Sequence, residues 1–240
     1  MLKTDSQKMY DGLASGYRGY SRGRINYLNA IDFVVKDYIK PNVSIIDFGA
    51  ADGVRIHNII CGVSVSLCLV ENSHNMLQQI FSMWPNASVL ACDFAGSDFQ
   101  VQKKYDVATC LWNVLGHLGE EQQVLTGLQN IKNSIKQGGA IILDVNNRQN
   151  ISQYGWQALK NIIKDTFSYN FKNGDIKFNI NLERGTVPSS VHIFSRSEIE
   201  RLIKKAGLVI KRRLFINYAN GKQQKSSLFG QLCYVLTVKK

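Results

Sequence analysis

The sequence is poor in proline and has no closely paired cysteines. Of its 240 residues, 3 are proline and 5 are cysteine, and no two cysteines have C-x-x-C spacing. An odd number of scattered thiols predicts neither a zinc site nor a redox pair, so we expect no metal and a reducing compartment. Hydrophobic residues still make up 45% of the chain, which is typical of a globular protein. Disorder, collagen-like repeats and a small disulfide scaffold are therefore excluded.

The chain also lacks long apolar runs and internal repeats. Its longest apolar-leaning run, residues 59–70, is shorter than the roughly 20 residues that span a bilayer. Residues 1–20 are polar and glycine-rich, unlike a secretory signal. We therefore expect a single cytoplasmic domain over residues 1–240 that does not involve a membrane, with residues 1–24 as an N-terminal cap segment.

Negative charge is scarce at the C-terminal end. The net charge is +11, and residues 196–240 carry 11 Lys and Arg against 2 Asp and Glu. Such an excess attracts phosphates or acidic substrates, or it forms a solvated surface on the last helix and strands.

Apolar segments alternate with helical patterns as far as residue 146. Helices are predicted at 26–39, 76–83 and 120–136, the last closed by the pair Gly138 and Gly139. Buried strands are predicted at 43–48, 65–70, 88–91, 106–112 and 140–145. This alternation is typical of a parallel, doubly wound α/β sheet of the Rossmann-like kind.

The alternation breaks at residues 147–194, which we interpret as an inserted lid. Aromatic residues alternate with polar ones at 167–171, and apolar residues alternate at 176–182. Asn173 and Gly174 separate the two runs, so a β-hairpin with a type I′ turn is expected.

Regular elements resume after the lid. Ser195 and Glu198 have the spacing of a helix capping box. Two strands at 208–218 and 228–238 follow, and the short polar loop between them makes them antiparallel neighbours. A parallel sheet that ends in an antiparallel strand is therefore expected.

A glycine-rich turn follows the first predicted strand. Asp47 is followed at alternate positions by Gly49, Ala51 and Gly53. Small residues allow the backbone to come close to a ligand, and doubly wound sheets bind ligands at the carboxyl ends of their strands. The alternative is an ordinary strand-to-helix loop.

Acidic side chains end the next two strands. Glu71 can accept hydrogen bonds from ribose hydroxyls. Asp93 can accept from an exocyclic amine, with Phe94 beside it for a base ring. Acids at three adjacent strand ends predict a nucleoside site.

The charge of the turn favours one class of nucleoside ligand. A dinucleotide site needs glycines at G-x-G-x-x-G to hold a pyrophosphate, but Val54 occupies the third glycine position. Asp47 and Asp52 repel phosphate and suit a cation. S-adenosylmethionine, which carries a sulfonium and no phosphate, is therefore the expected cofactor.

On these residues the chain resembles the class I S-adenosylmethionine-dependent methyltransferases of the small-molecule type. Their acid-x-Gly-x-Gly-x-Gly motif matches residues 47–53, with Ala51 in place of the middle glycine. The resemblance covers roughly residues 25–146 and 195–240 and implies a seven-stranded sheet with an antiparallel last strand. It also implies donor contacts, which we assign to Asp47, Gly49, Ala51, Gly53, Glu71, Asp93, Phe94, Trp112, Asn113 and Tyr17.

Candidates for the acceptor side follow the fourth and fifth strands. We predict catalytic or substrate-facing roles for His117, Asn146 and Arg148, with Asn147 beside them. Each has a structural alternative: a histidine that opens a helix, or asparagines that cap their own turn.

Other candidates depend on the lid and the N-terminal segment. Arg24 could face a carboxylate, and His192 could face the site from the end of the lid. The loop around Tyr154 and Trp156 is expected to cover the site. Cys110 is interpreted as a core residue.

Three functions remain open at this point. The leading hypothesis is an enzyme that methylates O or N of a small-molecule acceptor, acting as a monomer or homodimer. The second is an RNA methyltransferase that uses the basic C-terminal face, since salt-dependent contacts to phosphates suit such a surface. The third is a non-catalytic, donor-binding partner subunit of another methyltransferase.

Overall fold

The computed structural model describes residues 5–182 and 185–239. Its main sheet has the strand order β3-β2-β1-β4-β5-β10-β8-β9. The strands are β1 (Ser44–Phe48), β2 (Ser66–Glu71), β3 (Ser88–Ala91), β4 (Tyr105–Cys110), β5 (Ile135–Val145), β8 (Leu208–Ile216), β9 (Gln223–Gln224) and β10 (Gln231–Val238). Strands β1 to β5 pair in parallel, so their carboxyl ends meet at one edge of the sheet.

The end of the sheet has the predicted mixed character. Strand β10 is antiparallel both to β5 and to β8, and the two-residue strand β9 extends the edge beyond β8. The expected seven-stranded sheet with an antiparallel last strand is thus confirmed, with β9 as a short addition.

Helices cover both faces of the sheet. The helices are α1 (Asp5–Leu13), α2 (Tyr17–Arg22), α3 (Ile25–Lys36), α4 (Val54–Ile60), α5 (His74–Met83), α6 (Glu121–Asn133), α7 (Ile151–Tyr154), α8 (Trp156–Phe167) and α9 (Arg196–Lys205). Strand β1 shows how the sheet is buried: Ile45 packs with Ile31 of α3, whereas its neighbour Ile46 packs in the cluster that includes Leu128 of α6 and Leu202 of α9. Because successive strand residues face opposite sides, a strand covered on both faces is mainly apolar, as β1 is between its buried polar residues Ser44 and Asp47.

The segment between α7 and α9 contains the hairpin, but not where the sequence predicted it. Strand β6 (Asp175–Leu182) pairs with β7 (Gly185–His192), so the hairpin turn lies after β6 rather than at Asn173 and Gly174. The predicted strand at 167–171 is wrong, since α8 extends to Phe167 and a 3₁₀ turn covers Phe171–Gly174. Residues 183 and 184, between the two strands in the sequence, lie outside the described ranges.

The prediction failed because aromatic residues at alternate positions occur both in strands and at the end of a helix. Phe167 is exposed at the last position of α8, whereas Phe171 is buried and stacks on His192 with ring centroids 3.9 Å apart. Asn170 caps the turn by accepting a hydrogen bond from the Lys172 N–H. The true partner strand contains Pro188 and shows no clear alternation, so its pattern gave no signal.

Two other boundaries differ from expectation. Helix α6 ends at Asn133, and Gly138 and Gly139 lie inside the long strand β5, next to a register shift between β4 and β5. The predicted capping box is confirmed, because Ser195 Oγ accepts from the Glu198 N–H while the Glu198 side chain accepts from the Ser195 N–H.

The N-terminal helices pack against the lid. Helix α1 lies on β7, where Ser189 Oγ is 3.0 Å from Met9 Sδ. In the described ranges, no helix is long and apolar enough to cross a bilayer.

Candidate active site

A cavity of about 370 Å³ opens at the carboxyl ends of the parallel strands. The ends of β1, β2 and β4 contribute Gly49, Glu71 and Trp112 to its wall. The N-terminal helices add Tyr10 and Tyr17, and the lid adds residues 175, 177 and 190–192. A cavity of this volume lies within the range of small-molecule sites.

The glycine-rich turn forms one side of this cavity and needs its small residues. Gly49 has φ +70°, and a Cβ atom there would lie 2.6 Å from the side chain of Val114. Gly53 has φ +73° and begins α4. Ala51 also has a positive φ, +51°, which is uncommon outside glycine and is a form of strain that clusters at functional sites.

Glu71 is fixed by the backbone at the cavity wall. Its Oε2 accepts from the N–H of Ala51 at 2.8 Å, and its Oε1 accepts from the N–H of Asn72 at 2.9 Å and of Ser73 at 2.8 Å. Burial raises the pKa of this carboxyl, and the three hydrogen bonds act against that shift. A carboxylate has about four acceptor positions, so three donors leave room for a ligand hydroxyl.

Asp47 lies behind the turn and is not among the residues that line the cavity. Its carboxylate accepts a hydrogen bond from Thr109 Oγ1 at 2.5 Å. Burial raises the pKa of Asp47 to about 7, although the Thr109 hydrogen bond lowers it. Its position suits a group that supports the turn rather than one that touches a ligand.

Asp93 and Phe94 both line the cavity, next to each other after β3. Asp93 Oδ1 accepts from the Ala95 N–H at 2.8 Å. Phe94 is buried and packs against Phe48, with ring centroids 5.3 Å apart. A planar ring and an exposed carboxylate therefore lie side by side in the wall.

Trp112 and Asn113 form an unusual pair after β4. Both have positive φ, +64° and +61°. Asp144 holds the bend by accepting from the Trp112 N–H at 2.7 Å. Trp112 lines the cavity, whereas the Asn113 side chain is turned into the protein, where it donates to the carbonyl of His192 and accepts from the Asn146 N–H.

His117 is half-buried in the cavity wall beside an N-terminal tyrosine. Its Nε2 lies 3.2 Å from the hydroxyl of Tyr10, and its Nδ1 has no hydrogen-bond partner in the described part of the chain. Burial lowers the pKa of His117 to about 4. The imidazole is therefore neutral near pH 7 and keeps one nitrogen that can accept a hydrogen bond.

Tyr17 lines the cavity next to Trp112, with ring centroids 6.0 Å apart. Burial raises the pKa of its hydroxyl. Arg24, the other N-terminal candidate, lies outside the cavity wall and stacks on the ring of Tyr218, 4.8 Å from its centroid.

The polar cluster after β5 does not reach the cavity. Arg148 is fully buried and pairs with Asp165 and Glu198, with N–O distances of 2.9 and 2.5 Å. Asn147 donates to the carbonyls of Ser227 and Gly230. Asn146 is also absent from the cavity wall, so this packing gives no support to a substrate-facing role for any of these three residues.

The cluster instead holds the two ends of the lid together and joins them to α9 through Glu198. Arg148 donates to the carbonyl of Ile193 at 2.9 Å. His192 lies at the base of β7 between two acids, 2.7 Å from Asp175 and 3.2 Å from Glu198. His192 lines the cavity, while Cys110 is buried in the core as expected.

Sequence reasoning missed several residues of the cavity wall, among them Tyr10, Asp175 and Lys177. Tyr10 lies in the same N-terminal segment as Tyr17, but nothing local marks it as a partner of His117. The alternation at 176–182 placed a strand correctly, and only the position of its partner strand shows that its first residues face the cavity.

Carboxylates dominate the charge of the cavity wall. Four acids line it, Glu71, Asp93, Glu120 and Asp175. Among the described residues of the wall, Lys177 of the lid is the single lysine or arginine. Such a wall disfavours a pyrophosphate and suits a ligand that carries positive charge.

Comparison with solved structures identifies the architecture. An S-adenosylmethionine-dependent methyltransferase from Clostridium acetobutylicum matches 97% of this chain and 100% of its own, with a TM-score of 0.68 and 16% identity. The chain has the methyltransferase fold. An amino pentose methyltransferase from Micromonospora echinaspora matches 93% of the chain and 96% of its own, with a TM-score of 0.59 and 16% identity. A sugar N-methyltransferase from Streptoalloteichus matches 93% of this chain and 91% of its own, with a TM-score of 0.61 and 12% identity.

No family model matches the sequence, and no curated protein matches it either. At these identities the likeness establishes the fold, so the activity has to be argued from the site.

Proposed function

We propose that this protein transfers a methyl group from S-adenosylmethionine to O or N of a small-molecule acceptor. The observation that carries the proposal is the charge of the cavity. The cavity opens at the strand ends of a methyltransferase fold and is lined by four carboxylates and one lysine. A sulfonium donor without phosphate fits that charge, whereas a dinucleotide does not.

The residues present fit the donor in its separate parts. Glu71 retains an acceptor position for a ribose hydroxyl, since the N–H groups of Ala51, Asn72 and Ser73 occupy the others. Phe94 offers its ring to the adenine, and Asp93 offers a carboxylate to the exocyclic amine. Gly49 presents its backbone in the cavity wall, and a side chain there would clash with Val114. When bound, the donor supplies an electrophilic methyl group.

The protein's own contribution is positioning and proton removal. When its Nε2 is unprotonated, His117 accepts the hydroxyl hydrogen of Tyr10, which leaves lone pairs on the Tyr10 oxygen. An acceptor hydroxyl or amine that donates to this oxygen is held in place, and its proton can pass to Tyr10 as the tyrosine proton passes to Nε2. The lid and the N-terminal helices shield this step from water.

The size of the cavity and the elements that enclose it favour a small acceptor. The lid and helix α1 contact each other over the site, so the reacting groups lie inside a cavity rather than in an open groove. Two proteins with this fold are named as an amino pentose methyltransferase and a sugar N-methyltransferase, and sugars are small acceptors.

The basic C-terminal residues offer little support to an RNA methyltransferase. Arg212 pairs with Asp37 at 3.2 Å, and Arg213 pairs with Glu200 at 3.0 Å. Neither these residues nor Lys204, Lys205 and Lys211 line the cavity. Their charge is partly neutralised and lies away from the proposed reaction centre.

Calorimetric titration with S-adenosylmethionine and S-adenosylhomocysteine tests the donor site. We expect micromolar binding of both and no binding of NAD at the same concentrations. If neither methyl-donor compound binds, the proposal fails. A screen of amino sugars and small hydroxylated acceptors, read out as formation of S-adenosylhomocysteine, then tests the transfer. Tight donor binding without turnover on any acceptor would favour the non-catalytic partner subunit.

Steeply salt-dependent RNA binding that donor analogues strengthen would favour the RNA alternative.

A further inference from the structure

Helix α8 is amphipathic, but its large apolar side chains face outward and its polar side chains face the protein. Trp156, Ile163 and Phe167 are 80%, 60% and 84% exposed. At 100° per residue these three side chains fall within about 40° of one another, so they form one outward apolar stripe. We call this stripe, together with the lysines beside it, the α8 face.

The inward side of the same helix is polar. Asp165 binds the buried Arg148 through both carboxylate oxygens, and Asn161 donates to the Arg148 carbonyl at 3.0 Å. Ala158 is the one fully buried apolar side chain that the helix contributes. The helix is therefore anchored largely by polar contacts, and Trp156, Ile163 and Phe167 gain little from the protein's own core.

The charge of the α8 face has a single sign. Lys160 and Lys164 are exposed and lie next to the stripe, about 40° and 80° from Trp156 on the helix. Asp165 is the only acid in the helix, and it is turned inward to Arg148. An exposed apolar stripe with lysines at its edge and no competing acid matches a helix that lies on an anionic bilayer.

The neighbouring turn has the same composition. Phe229 and Leu228 are 47% and 36% exposed, and the carbonyl of Phe229 accepts from Ser152 of α7, the helix that leads into α8. Lys222 and Lys225 are exposed in the preceding loop, and residues 201–240 contain no Asp or Glu.

A second copy of the chain fits this face less well. Three side chains at these exposures offer roughly 400 Å² of apolar surface, less than the roughly 450–520 Å² that is apolar in the 800 Å² per partner of a stable interface. Two antiparallel copies of α8 around a two-fold axis would also place four lysines on one edge. A lipid surface imposes neither requirement.

We propose that the α8 face binds the surface of membranes that contain anionic phospholipids. Trp156 and Phe167 enter the boundary between headgroups and acyl chains, and Lys160 and Lys164 contact the phosphates. This peripheral contact needs no spanning helix, and it departs from the expectation from sequence that no membrane is involved.

Co-sedimentation with vesicles tests the proposal on the full chain. We expect binding to phosphatidylcholine vesicles that contain phosphatidylglycerol, little binding to phosphatidylcholine alone, and release by salt. The double variant Trp156→Ala/Phe167→Ala should lose binding, and Lys160→Glu/Lys164→Glu should weaken it roughly tenfold or more.

Matched controls keep the test specific. Phe33→Ala removes an aromatic that is 71% exposed on α3, and Lys40→Glu/Lys104→Glu makes the same charge change elsewhere. Both should bind vesicles like the unaltered protein. Circular dichroism must show that all variants fold. The proposal is overturned by absence of vesicle binding, by equal loss in the controls, or by self-association in sedimentation velocity that the Trp156→Ala/Phe167→Ala variant removes.

Discussion

The hydroxyl of Tyr10 lies 3.2 Å from Nε2 of His117, although 107 positions separate the two residues in the sequence. Their rings meet edge to face, with centroids 5.3 Å apart. Burial lowers the pKa of His117 and raises that of Tyr10, so both groups are neutral near pH 7. A neutral donor–acceptor pair in a cavity wall can take a proton from an acceptor without first changing its own charge.

The Tyr10–His117 pair should behave as a unit in catalysis. We expect Tyr10→Phe and His117→Gln each to lower kcat by about 10² or more, because proton transfer by a positioned group contributes about that factor. The double variant should be little slower than either single variant, since both remove the same relay. Steady-state rates of S-adenosylhomocysteine formation measure this.

Calorimetric donor binding serves as the control, and it should stay within a few-fold in all three proteins. Full activity in the variants would show that positioning alone suffices.

His117 should also leave a mark on stability. Its pKa is about 4 when folded and 6.5 at its ordinary value, so between these pH values the unfolded chain binds a proton that the folded chain does not. Its contribution is present above pH about 6.5 and is lost as the pH falls towards 4, a change of about 3 kcal/mol. Urea unfolding across this range should show that loss diminished in His117→Gln.

Asp47 should have the opposite effect on how the free energy of unfolding depends on pH. Its pKa is raised from 3.8 to about 7, so its contribution is present at low pH and is lost as the pH rises from about 4 to 7. Asp47→Asn keeps an oxygen for Thr109 and should become more stable relative to the unaltered protein as the pH rises. If the relative stability does not change with pH, Asp47 is ionised in the folded protein below pH 7.

Glu71 should be needed for donor binding in its charged, acceptor-only form. In Glu71→Gln an amide group must face at least one of the N–H groups of Ala51, Asn72 and Ser73. We expect S-adenosylhomocysteine to bind about 10- to 100-fold more weakly, since the amide has fewer acceptor positions and a ligand hydroxyl left without a partner costs about 1–3 kcal/mol. Glu120→Gln, a change elsewhere in the cavity wall, should bind almost normally. Equal losses in the two variants would indicate a general charge effect.

Arg148 should matter for folding rather than for contact with a substrate. Arg148→Met leaves Glu198 and Asp165 without their buried partner, which should lower the free energy of unfolding by about 3–5 kcal/mol. Arg213→Met breaks a more exposed pair with Glu200 and should cost less than about 1 kcal/mol. Denaturant melts compare the two. A folded Arg148→Met protein of normal stability with a raised KM would instead restore the substrate-facing role.

The sheet was predictable because its signals are local. The strand at Ser44–Phe48 is buried along its length and built on Ile45, Ile46 and Phe48, and the turn after it needs Gly49 at a positive φ, so the type and position of these elements are visible in a few residues. The lid was predicted with the wrong pairing. Phe167, Tyr169 and Phe171 alternate as in a strand, but the packing of Phe171 against His192 decides their structure.

The candidate site likewise contains positions that the sequence predicted and positions that tertiary packing decided. Glu71 was predictable because it ends a parallel strand, whereas the apparent motif residue Asp47 proved to lie behind the turn. Arg148 follows a strand just as Glu71 does, yet Asp165 and Glu198 draw it into the interior.

The sequence by itself determined the strands of a doubly wound sheet, its antiparallel end and the acids that follow its parallel strands. Periodicity and strand ends are properties of neighbouring residues, so they can be seen before folding. The tertiary structure decided which polar side chains reach the cavity and which pair with one another. Tyr10, His117 and Asp175 come from three distant segments, and only the packing of α1 and the lid over the sheet brings them together.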